Sequence, residues 1–530
     1  MNTDIEYKNR NSKIVYYWPI LILLVIVALV VAFFPSTPAN AGLGKVNVSL
    51  LGTSMAGKTG TTVSGIDCLP NVRQFTWSKY APMCEPKYTR NNGGSTSWGV
   101  TKNTIYITYR EPNTSGASIL AKLFGPAMGT DQQAIATMET YIKFFNSQFE
   151  LYGRKVVLEP FSGKGDFINE LQGQGLEQAK EDAITAKSLH AFADVSLLSS
   201  SQFYDQYLAD QGVIAIGAIA QPTTWFKAYA PFEYTPTPTC DTGVRALAVG
   251  IGRSLANLPA IFAGEPSLQK KIRVFGLIYP ENPTYASCGQ LLQNLLASQY
   301  HVYIKKTIKY SISLADEASE AQSAIAEMKV NGVTSILCGC DPIFPILLTG
   351  DATTQNYYPE WLATTFEDVF SQLNDSAEWS HSLTSGLLLP PKDKQEAYRV
   401  YKMANPKGTP SPQFAEIYPP LLLLFDALQA AGPDLNPQTF QAGFFRLPRS
   451  LPDGNYGRWT FGKDIYSPVS SFNILYWDKN AISTEDGKPG TYVPCNNGKR
   501  YTLSIKGVEQ LPNHVQLDCF GIKPKTRNKS

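Results

Sequence analysis

Three consecutive serines, Ser199, Ser200 and Ser201, are the residues of this sequence best placed for binding chemistry. The apolar residues 193–198 before them predict a short buried strand, and residues 202–210 predict a helix of about two turns. A second apolar strand follows at 213–217, so the stretch is predicted to be a βαβ unit. Ligands of open α/β sheets bind beyond the carboxyl ends of the strands, which is where these serines fall.

Two interpretations of the serines remain open at this point. Their hydroxyls, together with the free N–H groups of the first helical turn, are suited to receive an anion such as a carboxylate. Serine is also a common N-cap residue, and an N-cap in an ordinary crossover needs no ligand. The surrounding sequence has to decide between them.

No pattern predicts catalysis, a metal or a cofactor. Gly52-Thr-Ser-Met-Ala-Gly57-Lys58-Thr59 matches a phosphate-binding loop, but that loop needs a following helix and residues 59–65 are poor helix formers. The four histidines are far apart in the sequence and form no metal-ligand pair. No nucleophile has an evident base. The sequence therefore favours a binding protein over an enzyme.

The N-terminal region predicts export. Residues 15–34 are an uncharged run of twenty, long enough at about 1.5 Å per residue to span a bilayer core of about 30 Å. Lys8, Arg10 and Lys13 precede it, which places the folded body outside the membrane. We expect a retained anchor; a cleaved leader is the alternative, because Ala39-Asn40-Ala41 resembles a signal-peptidase site.

Composition agrees with an exported protein that binds no nucleic acid. Charged residues make up 17% of the 530 residues and the net charge is +2, so there is no basic field for a polyanion. The eight cysteines form an even set, and in an exported chain they favour disulfides over metal ligands. The Cys338-Gly-Cys340 pair is expected either to join a disulfide or to be buried.

From residue 99 the sequence alternates predicted strands and helices in two successive series, which indicates an α/β protein with two doubly wound lobes. Helices at 394–403 and 413–431 then return the chain to the first lobe. The sequence therefore predicts five segments in the whole chain: a cytoplasmic stub with anchor or signal (1–35), a Gly/Ser/Pro-rich tether (36–98), lobe 1 (99–238 and 392–468), lobe 2 (239–391 and 469–522), and a disordered tail (523–530). The expected disulfide pairs are Cys68–Cys84, Cys240–Cys288 and Cys495–Cys519.

The order of these elements, together with several short sequence stretches, resembles the type I periplasmic-binding-protein fold. Within that fold it is similar to leucine-binding-protein-like solute-binding subunits of branched-chain amino-acid type ABC transporters. The resemblance covers residues 99–480. The matching stretches are LLSSSQFYDQYLADQGVIAIG, Arg273-Val-Phe-Gly-Leu-Ile-Tyr-Pro280 with Asn282-Pro-Thr-Tyr285, residues 414–440, and Gly457-Arg-Trp-Thr-Phe461.

The resemblance implies two lobes joined by three hinge crossings, near 236–242, 388–395 and 464–472, that close on a ligand. In amino-acid-binding members the serines take the ligand carboxylate, and an acidic residue of the second lobe takes its ammonium. The contacts carried over by position are Ser199, Ser200, Ser201, Ala220, Gln221, Thr239, Asp241, Thr242, Tyr285, Asp341 and Glu367.

Several of these positions depart from the family pattern or have a structural alternative. Gln221 stands where amino-acid binders tend to have a small hydroxyl residue, and Asp341 stands where they often have an aromatic one. Asp341 is alternatively a helix cap, and Tyr285 alternatively covers the interface between the lobes. An amino acid or an amide-like solute fits this set of residues.

The resemblance therefore implies an extracytoplasmic protein that delivers a small polar ligand to an ABC transporter permease. The alternative is a ligand-sensing ectodomain of the same fold that signals through a partner membrane protein. Only about fourteen residues precede the apolar run, too few for a signalling domain of its own.

Overall fold

The structure is a computed structural model that describes residues 54–111, 113, 129–196, 199–219, 221–313, 315–363, 368–452, 454–503 and 517–522. The apolar run 15–34, the tail 523–530 and the predicted contacts Ala220 and Glu367 lie outside these ranges. Within them, no helix combines the length and the apolar character needed to cross a membrane.

Residues 54–98, for which the sequence predicts a tether, pack onto the folded body instead. They contain a small antiparallel pair, β1 (Gly60–Thr61) and β2 (Asp67–Cys68), so no helix follows the phosphate-loop pattern. Phe75 and Tyr80 are buried in the same hydrophobic cluster as the later helices. The segment's average composition conceals these aromatic residues, and their burial stabilises its position.

The first sheet has five parallel strands in the order β4-β3-β5-β6-β7. They are β3 (Thr104–Glu111), β4 (Lys155–Ser162), β5 (Ala193–Asp194), β6 (Ile214–Ile216) and β7 (Glu233–Tyr234). In β3 the consecutive residues 107–110 are all buried, as expected of a strand covered by helices on both faces. The carboxyl ends of these strands share one edge of the sheet.

Among the described residues, the helices that connect or flank these strands are α1 (Asp131–Gln148), α2 (Phe167–Leu171), α3 (Leu176–Ser188), α4 (Gln202–Asp210) and α5 (Thr223–Ala228). The start of α1 is fixed by a capping box between Thr130 and Gln133, in which each side chain accepts the other residue's backbone N–H. The βαβ unit predicted around the serines is present as β5, α4 and β6.

The second sheet has five parallel strands and three antiparallel ones. The parallel strands are β8 (Phe275–Pro280), β9 (Lys306–Tyr310), β10 (Ser335–Cys338), β11 (Glu360–Ala363) and β12 (Ser382–Gly386). Beyond β12 lie β13 (Ser471–Ile482), β14 (Pro489–Pro494) and β15 (Arg500–Thr502). The sequence did not predict β14 and β15, which are short and lie in a Gly/Pro/Asn-rich region; both pair with the long β13.

In the part of the chain that the structure describes, the helices beside the second sheet are α6 (Cys240–Ser254), α7 (Pro266–Gln269), α8 (Pro283–Tyr300), α9 (Glu317–Val330), α10 (Phe344–Thr354), α11 (Asp368–Ser371) and α12 (Ser376–Trp379). The chain then returns to the first sheet through α13 (Glu396–Ala404), α14 (Phe414–Ala431) and α15 (Pro437–Phe445). Helix α14 is buried almost all round and packs against α1 and α15. It continues through Pro419 and Pro420, where the sequence predicted a start or a kink.

We call the described residues within 54–234 and 396–469, which are built on the first sheet, the first lobe, and those within 240–386 and 471–522, which are built on the second sheet, the second lobe. Each has its own hydrophobic core. The chain passes between the lobes three times: after β7, after β12 and before β13.

All eight cysteines form disulfides, and the three expected pairs, Cys68–Cys84, Cys240–Cys288 and Cys495–Cys519, are confirmed. Cys240–Cys288 joins α6 to α8 within the second lobe. Cys338 and Cys340, whose state the sequence left open, pair with each other at the end of β10.

The packing of residues 54–98 makes a prediction about stability. Phe75 is 1% exposed and stacks on Trp77 with ring centroids 3.9 Å apart. Phe75→Ala should therefore lower the free energy of unfolding by about 3–5 kcal/mol, measured by denaturant titration. Leu69→Ala, at a side chain 56% exposed, is the matched control and should change it by less than about 0.5 kcal/mol. Equally small losses in both variants would restore the tether interpretation.

Candidate functional site

A small cavity between the two lobes brings together several of the predicted contacts. It measures about 50 Å³, which admits a group of a few non-hydrogen atoms. From the first lobe it is lined by Phe167, Leu171, Ser200, Ser201, Gln202, Ile219 and Gln221, and from the second lobe by Asn282 and Tyr285. The lining segments follow β4, β5, β6 and β8, at the edge of each sheet where ligands of this fold class bind.

The three serine hydroxyls donate to groups of the protein itself. Ser199 Oγ donates to the Arg110 carbonyl oxygen at 2.5 Å. Ser200 Oγ donates to the Asp205 carboxylate, and Ser201 Oγ donates to the Glu170 carboxylate. Ser201 is also the N-cap of α4, since its Oγ accepts the backbone N–H of Tyr204 at 3.1 Å. The capping interpretation is thus correct for Ser201.

Behind the serines lies a buried ion cluster centred on Arg110. Its guanidinium pairs with Glu170 at 2.9 Å and with Asp182 at 3.3 Å. It also lies 3.8 Å from the centre of the Tyr204 ring and donates to the Ser199 carbonyl oxygen. These contacts supply the pairing that a buried cation requires. Sequence reasoning missed this cluster, although an arginine near the end of a predicted buried strand was its signal.

Further carboxyl groups near the cluster are held neutral by burial. Burial raises the pKa of Asp205 to about 8, although the hydrogen bond from Ser200 opposes the shift. Asp205 Oδ2 has no hydrogen-bond partner among the described residues. Burial also raises the pKa of Glu233 well above its usual range, and its nearness to the carboxyl groups of Asp205 and Asp194 adds to the effect.

Gln221 and Tyr285 face the cavity from opposite lobes. Gln221 is 5% exposed; its Nε2 donates to the Ile219 carbonyl oxygen at 3.2 Å, and its Oε1 has no partner in the described part of the chain. Burial, with the nearby Asp341 charge, raises the pKa of Tyr285 to about 12, so its phenol is neutral. The rest of the lining consists of residues that were not predicted as contacts: Phe167, Leu171, Gln202, Ile219 and Asn282. Asn282 nevertheless belongs to one of the short stretches that resemble the family.

The predicted contacts at the first crossing serve as helix caps. Thr239 is the N-cap of α6, and its hydroxyl shares a hydrogen bond with that of Thr242 at 2.8 Å. The Asp241 carboxylate accepts the Thr223 backbone N–H at 2.8 Å and its hydroxyl at 2.9 Å, at the start of α5. None of the three is in the cavity lining.

Asp341 has the capping role that the sequence gave as its alternative. Its Oδ1 accepts the backbone N–H groups of Ile343 at 2.7 Å and Phe344 at 3.2 Å, at the start of α10. Its Oδ2 accepts the Tyr310 hydroxyl at 2.5 Å. It lies behind Tyr285 and outside the cavity lining. Ala220 and Glu367 lie outside the described residues.

Several solved structures are similar to this chain in architecture. No family model and no curated protein matches the sequence. A fatty acid ABC transporter substrate-binding protein from Thermomonospora curvata superposes with a TM-score of 0.54 at 14% identity, covering 80% of this chain and 98% of that one. A leucine-, isoleucine-, valine-, threonine- and alanine-binding protein from Brucella ovis also gives 0.54 at 14% identity, covering 75% and 95%. For a type 1 periplasmic binding protein from Bordetella pertussis Tohama I the TM-score is 0.52 at 14%, covering 74% and 100%.

The chain has the type I periplasmic-binding fold. The resemblance seen in the sequence is therefore confirmed at the level of fold. These identities carry no information about the ligand, which has to be argued from the cavity itself.

The Arg110 cluster makes a prediction about the stability of this periplasmic-binding fold. Arg110→Met leaves Glu170 and Asp182 buried without their cation, so it should cost about 3–5 kcal/mol in the free energy of unfolding. Lys164→Met removes the exposed Lys164–Glu181 pair of the same lobe and should change little. Urea titration of both variants measures the difference. Equal stabilities would show that the cluster does not hold the first lobe together.

The raised pKa of Asp205 makes a prediction about pH. An unfolded aspartate has a pKa of about 3.9, so between about pH 4 and pH 8 the folded protein keeps a proton that the unfolded chain has lost. The contribution of Asp205 to stability therefore falls as the pH rises through this window and is constant above it. Asp205→Asn cannot ionise and should show a shallower decline in the free energy of unfolding. The same decline in both proteins would contradict the burial of an uncharged Asp205.

Proposed function

We propose that the protein is an extracytoplasmic solute-binding protein, which captures a small polar ligand between its lobes and delivers it to an ABC importer. The observation that carries the proposal is the cavity lined by both lobes, with polar side chains at the carboxyl ends of the strands. The three passages between the lobes serve as hinges, and closure around the ligand presents one defined shape to a permease. No covalent step is involved.

Two further observations support this role. Four disulfides suit an oxidising compartment outside the cytoplasm. Solved structures of the same fold include proteins titled as ABC transporter substrate-binding and amino-acid-binding. The proposal includes an N-terminal membrane anchor at residues 15–34, which rests on the sequence alone. The ligand is proposed to be an amino acid or an amide-like compound.

The predicted contacts fall into three groups in this proposal. Those that line the cavity, Ser200, Ser201, Gln221 and Tyr285, contact the ligand. Those that cap helices or support the wall are Ser199, Thr239, Asp241, Thr242 and Asp341. Ala220 and Glu367 remain contacts expected from the resemblance.

The proposal predicts ligand-dependent stabilisation of the purified full chain. A ligand at about one hundred times its dissociation constant adds about 2.7 kcal/mol to the free energy of unfolding, which raises the melting temperature. We expect such a shift with one or a few compounds in a panel of amino acids, amides, short peptides and nucleotides. Tyr285→Ala should weaken that ligand at least about tenfold, because it removes the second lobe's aromatic wall.

Tyr303→Ala is the matched control, since Tyr303 is 72% exposed in the same lobe, and it should leave the affinity unchanged. A shift with nucleotides alone would favour the phosphate-loop pattern over the cavity. Unchanged affinity in Tyr285→Ala would place the ligand elsewhere on the protein.

A further inference from the structure

We infer that the first-lobe wall of the cavity binds an N–H group that carries no negative charge, a primary amide or an ammonium, and does not bind a carboxylate. The inference rests on the proposed function and specifies which end of the ligand meets Ser200, Ser201 and Gln221. It reverses the expectation from the sequence, in which the serines take a carboxylate. Three independent features of the wall lead to it.

The first feature is the unpartnered oxygen of Gln221. Its Nε2 donates to the Ile219 carbonyl oxygen, so exchanging the two ends of the amide would set one oxygen against another. The orientation of the amide is therefore fixed, and Oε1 is the atom that no described residue contacts by a hydrogen bond. A buried acceptor is costly unless it receives a hydrogen bond. A ligand N–H group supplies that bond, whereas a carboxylate oxygen does not.

The second feature is the direction of the serine hydrogen bonds. A hydroxyl has one hydrogen, and Ser201 gives it to Glu170 while Ser200 gives it to Asp205. What remains on each oxygen is acceptor capacity. Asp205 Oδ2 has no hydrogen-bond partner among the described residues, so it is the oxygen that can carry the proton of the neutral carboxyl group. Oδ1 then still accepts the hydrogen bond from Ser200. The serine hydroxyls therefore offer an incoming carboxylate no hydrogen.

The third feature is the charge behind the wall. The start of α4 favours a negative charge, but the protein fills that place with its own Glu170, which lies against Ser201 and Arg110. Arg110 supplies one positive charge against the two carboxylates of Glu170 and Asp182. Across the cavity, the Asp341 carboxylate lies behind Tyr285. This balance disfavours an anion and accepts a neutral or cationic group.

Acetamide and acetate test the inference, because they have the same shape and differ in an N–H₂ against a charged oxygen. Titrations of the full chain followed by ligand-observed NMR should give at least about tenfold tighter binding of acetamide than of acetate. Ethylammonium is the third probe: if it binds more tightly than acetamide, the group recognised is an ammonium; if more weakly, it is an amide. Acetate binding as tightly as acetamide would overturn the inference while leaving a solute-binding role in place.

Variants of Gln221 test whether the first-lobe wall of the cavity causes the preference for acetamide over acetate. Gln221→Leu removes the unpartnered acceptor and should weaken acetamide about tenfold, while Gln132→Leu makes the same change at an exposed position of the same lobe and should have no effect. Gln221→Glu keeps an acceptor and adds negative charge, so it should tighten ethylammonium and weaken acetate further. Unchanged acetamide affinity in Gln221→Leu, tighter acetate in Gln221→Glu, or failure of all three probes to bind would each overturn the inference. The role in solute binding is judged separately, from the melting panel.

Discussion

The arrangement of the first lobe depends on the pairing of one buried cation, the guanidinium of Arg110. Arg110 lies near the carboxyl end of β3 with 1% of its surface exposed, and an unpaired charge at that depth would cost several kcal/mol. Its partners come from separate elements: Glu170 from α2, Asp182 from α3 and the Ser199 carbonyl oxygen from the loop after β5. Satisfying this one guanidinium therefore fixes the positions of the segments that form the cavity wall.

That constraint also changes what the triple serine does. A serine run before a helix suggests an anion site from local sequence alone, and an anion is indeed present beside it, as the carboxylate of Glu170. The motif suggests that a ligand brings a negative charge to this place, but the protein supplies that charge itself. Ser200 and Ser201 thus act both as cavity wall and as the connection between the cavity and the Arg110 cluster.

The parts that could be predicted from sequence are those set by local periodicity. Long apolar strands and amphipathic helices gave the order of elements in both lobes and the βαβ unit around the serines, and cysteines in loop-like positions gave three disulfide pairs. The remaining features depend on distant partners. Strands β14 and β15 form because β13 is available to pair with them, Phe75 is buried by helices far along the chain, and the serine hydrogen bonds are decided by Glu170 and Asp205.

The two lobes contribute unequally to the cavity, and this bears on how binding can be coupled to closure. The first lobe provides seven lining residues and its buried polar groups, whereas the second provides Asn282 and Tyr285. Asp341, the second lobe's acidic residue behind Tyr285, is occupied in capping α10. A ligand can shift the equilibrium between open and closed lobes only by contacts that differ between the two states. Because first-lobe contacts can form in either state, the contacts among the described residues that can favour closure are those of the short segment after β8, which carries Asn282 and Tyr285.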